Sequence, residues 1–224
     1  ANIKKFIVGD TVHHAICCTN YILAAIANLE NTLAADGEPE QLSSYSGKSY
    51  KRPFPRTYRP ECDTSPELSS EKGSRYLQLI RILRWAVELG RLDIYTEVST
   101  LSQHQCLPLE GHLDAIYRIF AYLKHNKHES QIIFDPSRMN TNENLFHQSN
   151  TGSEVWKDFY TDAEEALPPM MSRPRGVAVK VSCYVDADHA LNRVTRRSHS
   201  GIIIYCQNTP VIWFSKRQNT CESS

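Results

Sequence analysis

The run Tyr184-Val185-Asp186-Ala187-Asp188-His189 sets two carboxylates two positions apart at the end of an apolar stretch. Every other charge between residues 173 and 217 is positive: eight bases against these two acids, a local balance of +6. Clustered carboxylates at a strand end repel one another and are stable together when a divalent cation sits between them. Mg²⁺ held by such a pair can activate water and stabilise the leaving oxygen in phosphodiester cleavage. The same spacing also suits an Asx-type turn with both side chains in solvent. Asp186 and Asp188 are therefore candidate metal ligands, and the turn is the alternative.

Arg193, Arg196 and Arg197, followed by Lys216 and Arg217, form a second group of interest. If the first connection of the tail and the end of its last strand meet, these five cations can hold phosphates and make binding salt-dependent. A solvated charged face is the plainer reading. Tyr205, Trp213 and Phe214 could stack on bases, but their place within strands makes them core candidates. The histidines are not paired with a nucleophile, and no G-x-S-x-G, phosphate-binding loop, G-x-G-x-x-G or H-E-x-x-H run occurs. Hydrolase triads and dinucleotide binding have no support. A phosphatase with an aspartate nucleophile also opens on a strand ending D-x-D, but only 36 residues follow Asp188, too few for its further lysine and aspartates.

The elements that must carry these residues can be read from periodicity. Ile22, Ile26, Leu29 and Leu33 give one helix starting at Asn20, closed by Asp36-Gly37. The stretch 38–66 holds five prolines and reads as a loop. A strong helix over 69–89 follows, capped by Ser69 or Ser70 and ended by Gly90. A third helix begins near Asp93, a fourth after Pro108, and 130–134 reads as a short strand. Residues 136–175 form an acidic connector with one weak helix over 154–166. The tail predicts strands over 177–186, 201–206 and 211–215, with a turn at Asn208-Thr209-Pro210. The expected fold class is α+β: a mainly helical part over 1–135, the connector, and an antiparallel three-stranded meander over 176–224.

Whole-chain composition narrows the class further. The 25 bases and 25 acids cancel, so the neutral total conceals an acidic connector beside a basic tail. No run approaches the roughly 20 apolar residues of a membrane helix, and no membrane partner is expected. The seven cysteines are odd in number and lack C-x-x-C spacing, which argues against a disulfide framework or zinc site. They read as small buried hydrophobes, and the chain as intracellular, in cytoplasm or nucleus, rather than secreted.

Three stretches together resemble a known family. Tyr184-Val185-Asp186-Ala187-Asp188-His189-Ala190, then Arg196-Arg197-Ser198-His199-Ser200-Gly201, then Pro210-Val211-Ile212-Trp213-Phe214-Ser215-Lys216-Arg217-Gln218 are similar in order and spacing to the start of ribonuclease H in copia-type LTR retrotransposon Pol polyproteins. Gly90-Arg91-Leu92-Asp93-Ile94 through Ser102, and His112 through Lys124, look like the segments between the reverse transcriptase palm and ribonuclease H in that family. The resemblance implies a ribonuclease-H-like meander and a thumb- or connection-like helical region. It implies RNA-templated DNA synthesis and cleavage of RNA in RNA/DNA hybrids by the parent polyprotein, with Mg²⁺. It also implies two partners, a hybrid and the remainder of Pol. Asp186 matches the first catalytic, metal-binding aspartate, and Asp188 belongs to the same motif. The family's later carboxylates and its Y-x-D-D polymerase motif are not among these residues, so the chain by itself is expected to be inactive. A non-catalytic nucleic-acid-binding module derived from the element is the alternative.

Overall fold

The computed structural model describes residues 1–8, 10–38, 41–42, 52–55, 57–127, 131–137, 170 and 179–221. The chain opens on a hairpin, β1 (Asn2–Val8) and β2 (Thr11–Cys17), in antiparallel register from Asn2 opposite Cys17 to Val8 opposite Thr11. This hairpin is absent from the sequence reading. Lys5 interrupts the apolar row of Ile3 and Ile7, so neither face shows clean alternation, and both isoleucines are largely exposed.

Helix α1 (Thr19–Ala35) follows at once. It starts a residue before the expected Asn20 cap, and Cys18 stands at the cap without a side-chain hydrogen bond. Its far end is a Schellman turn: Glu38 N–H reaches Leu33 O at 2.8 Å, Gly37 N–H reaches Ala34 O, and Gly37 has φ +80°. Helix α2 (Ser70–Glu88) repeats this grammar. Ser69 Oγ accepts the Lys72 N–H at its start. Gly90, at φ +106°, ends it while Arg91 N–H bonds Ala86 O. A Cβ on Gly90 would also lie 2.8 Å from Ile132 Cδ1, the movable end of that side chain, so the positive φ is what requires glycine.

Short 3₁₀ turns at Leu92–Ile94 and Ser102–His104 flank α3 (Tyr95–Leu101), and α4 (Glu110–Tyr122) runs into a π turn, Leu123–Lys127. Ile22, Ile26, Leu29, Leu79, Ile80, Leu83, Val98, Leu101, Ile116 and Phe120 bury one helical core. Strand β3 (Gln131–Phe134) then pairs with β2, from Cys17 opposite Gln131 to His14 opposite Phe134, and completes a sheet ordered β1-β2-β3.

The tail folds as the expected meander: β4 (Val181–Ala187), β5 (His199–Cys206) and β6 (Thr209–Arg217), in that order and antiparallel. The final turn is Gln207-Asn208, one step before the predicted position, with Gln207 at φ +56°. Thr209 and Pro210 already belong to β6. The fold class is α+β. The weak helix over 154–166 and nearly all of the 136–175 connector lie outside the described residues, as do Val177 and Ala178. Among the described residues no helix is long and apolar enough to cross a membrane.

The meander lies with one face on the helical body. Trp213 Nε1 donates to Val87 O at 3.0 Å, Ser99 Oγ to Ser215 O at 2.9 Å, and Asp135 N–H to Thr209 Oγ1 at 2.8 Å. The opposite face carries Val181, Val185, Ile212 and Phe214, all exposed; Ile212 is 54% so. Phe214 is thus not the core aromatic that the sequence suggested, because it points away from Trp213. The cysteines need a similar correction. Cys17 and Cys18 are buried, but Cys62, Cys106, Cys183 and Cys221 are exposed and Cys206 is half-buried; all seven are free. Cys62 and Cys106 lie in turns, and Cys183 sits on an open part of the β4 strand, so none of the three is packed away.

Candidate nucleic-acid interface

The β4–β5 connection, residues 188–198, is a loop wired by short side chains. Asn192, buried, accepts the N–H groups of Val194 and Thr195 on Oδ1, and its own carbonyl accepts Arg196 N–H at 2.8 Å. Ser198 Oγ accepts Ala190 N–H. Ala190 and Arg196 both adopt positive φ, +49° and +56°, which this network has to enforce since neither is glycine. The result turns Arg193 and Arg196 into solvent and leaves Arg197 half-buried.

The exit of β6 runs along the same loop. Lys216 stands opposite Ser200 and Arg217 opposite His199. Gln218 N–H bonds Ser198 O at 2.8 Å, and Cys221 Sγ reaches Thr195 O. All five predicted cations therefore gather at one end of the sheet. Lys216 is exposed on the outer face; Arg217 is half-buried toward the helical body. Among the described residues the ion pairs are Arg75–Asp36, Arg91–Asp93 and Lys124–Glu30. None of the five has an acidic partner there.

Asp186 and Asp188 lie at this end too, in different situations. Asp186 is exposed opposite Gly201, and among the described residues its Oδ1 accepts only the adjacent Ala187 N–H. Asp188 Oδ1 accepts two backbone donors, Leu191 N–H at 3.3 Å and His199 N–H at 3.0 Å, so it closes the loop in the manner of the turn alternative. Among the described residues no group of three His, Cys, Asp or Glu side chains could hold a metal ion. The pair present does not make up a two-metal centre.

His199 occupies the seam between meander and helices. Its Nε2 lies 2.9 Å from Gln103 Nε2, and Asp188, Arg217 and Glu61 surround it. Burial lowers its pKa. His104, also on the seam, is lowered to about 4 by burial and by neighbouring His112. His112 itself is structural: Nδ1 accepts Leu109 N–H at the start of α4, and Nε2 donates to Pro60 O at 2.9 Å.

Residues 52–55 and 57–61 belong to the stretch 38–66 that the sequence reads as a proline loop. Arg193 N–H donates to Glu61 Oε1 at 3.1 Å, which ties that segment to the basic connection. Arg52, Phe54, Tyr58 and Arg59 therefore stand beside the interface. The signal was present: the segment interleaves bases with aromatic rings, the composition of a strand-binding surface.

No protein-family model, curated protein or solved structure matches the chain.

Proposed function

We propose that this chain is a piece of a copia-type retrotransposon Pol polyprotein, the region after the reverse transcriptase palm together with the opening strands of ribonuclease H, and that it binds an RNA/DNA hybrid. One observation carries the binding: Arg193, Arg196, Arg197, Lys216 and Arg217 converge on one sheet end without acidic partners among the described residues. Guanidinium and ammonium groups at one end of the sheet attract phosphates, with Arg193, Arg196 and Lys216 the exposed ones, and each contact formed releases a counterion. The family reading rests on the spaced motifs around Asp186, Arg196 and Trp213.

A labelled RNA/DNA hybrid titrated at several salt concentrations tests the binding. With three to five phosphate contacts, log K should fall with log salt with a slope of about −2.7 to −4.5. Arg196→Glu should weaken binding and flatten that slope. Salt-insensitive binding removes the reading.

The parent polyprotein's cleavage of RNA in hybrids would use Asp186 as its first metal-binding carboxylate. The chain alone should bind without cutting. Cutting in Mg²⁺ that Asp186→Asn abolishes would overturn that part. The engagement of Asp188 with two backbone donors favours the second reading, a non-catalytic binding module derived from the element.

A further inference from the structure

We propose that the cavity between residues 52–55 and 58–61, α3 and the β4–β5 connection is a subsite for one unpaired nucleotide of a bound strand. The inference rests on the nucleic-acid reading above and adds what the basic patch alone lacks, a place for a base.

The cavity measures about 270 Å³, near the small end of small-molecule sites, which start at roughly 300 Å³. That suits a single nucleotide and excludes a duplex. Phe54 and Tyr58 supply its aromatic wall, with ring centroids 5.5 Å apart and edge-to-face at 83°. Bases of any sequence stack on such rings. Arg59 lines the cavity with its guanidinium braced by Nη1 on Tyr58 O, while its buried Nε has no partner. A phosphate or base carbonyl in the cavity would meet the accessible part of this half-buried guanidinium rather than the sealed Nε.

Glu97, from α3, faces the same space and forms no ion pair with Arg59. An acid and a base thus line one small space without pairing with each other. Burial pushes the Glu97 carboxyl upward, as does nearby Asp93. A nucleotide meets both demands at once: its exocyclic amino edge donates to the carboxylate and its phosphate accepts from the guanidinium. Leu191 and Asn192 complete the lining. They belong to the same connection as Arg193 and Arg196, so a strand on the basic patch runs directly past the opening.

Guanine offers N1–H and N2–H₂ side by side, whereas uracil offers a single N–H flanked by acceptors. Guanine should therefore be preferred about tenfold. The test is displacement of a labelled single-stranded oligonucleotide by 5′-GMP and 5′-UMP. GMP should compete about tenfold better. Glu97→Gln should erase that preference, and Phe54→Leu should weaken both nucleotides, with unchanged circular dichroism in each variant. If Arg196→Glu weakens oligonucleotide binding but GMP does not displace it and neither variant matters, the subsite is overturned and the patch stands. If Arg196→Glu has no effect on RNA/DNA hybrid binding either, the nucleic-acid reading falls with it.

Discussion

Gly111 and Asp63 show how little tolerance some positions have. A Cβ on Gly111 would lie 2.0 Å from Asp63 Oδ2. That carboxylate cannot retreat freely, because it accepts Tyr58 O–H at 2.9 Å and Ser65 N–H at 2.9 Å. Gly111→Ala should therefore destabilise the chain by about 1–3 kcal/mol in urea unfolding. The two motif aspartates should separate in the same assay. Asp188→Ala removes an acceptor from two backbone N–H groups and should cost about 1–2 kcal/mol. Asp186→Ala removes one local, exposed bond and should stay within about 0.5 kcal/mol. Equal costs would mean that the loop does not depend on Asp188. At this scale the sequence made the cations legible, since charge and position along a strand end can be read directly. It did not separate the roles of Asp186 and Asp188. Which of two like carboxylates turns back onto the backbone depends on the path of residues 188–198, and that path is set by Asn192 and Ser198 rather than by the motif.

Elements bounded by strong local chemistry were the most legible. The Ser69 cap and Gly90 terminator bracket α2 to within a residue of the predicted span. The β1–β2 hairpin escaped because its stability comes from β3, more than a hundred residues later, and not from its own alternation. The meander's order could be inferred from short connections, but which face would be covered could not. Trp213 decides it, by docking against the helical core and donating to Val87 O. Trp213→Ala should cost about 2–4 kcal/mol and loosen β4–β6 ahead of the helices in hydrogen exchange. Phe214→Ser, on the uncovered face, should change stability by no more than about 0.5 kcal/mol. A large loss for Phe214→Ser would show that the outer face is covered after all.

Over the whole molecule, acid should act first at the seam between helices and meander. His104 and His199 have folded pKa values below their unfolded ones, so the unfolded chain binds protons first. The stability that His104 contributes is complete above about pH 6.5 and is lost as pH falls toward about 4, on the order of 2–3 kcal/mol, and His199 adds a loss of the same sign. His104→Gln should flatten that part of the pH–stability curve. A second loss should follow at lower pH from Asp93. Burial raises that carboxyl, but its bonds to Arg91 at 2.8 and 2.7 Å and to Tyr122 outweigh this and hold it below its ordinary value. A curve level from pH 7 to pH 4 would contradict the first step.

The pairing of His14 with Phe134 also bears on how the chain is made. A ribosome delivers β2 long before its partner, so one edge of the opening hairpin waits while some hundred residues emerge. Ile3 and Ile7 remain in view throughout, during the interval when unpaired edges most readily join other chains. Closing so long a loop is slow. Synthesis rate and early chaperone capture should therefore govern the yield of folded chain more than its final stability does.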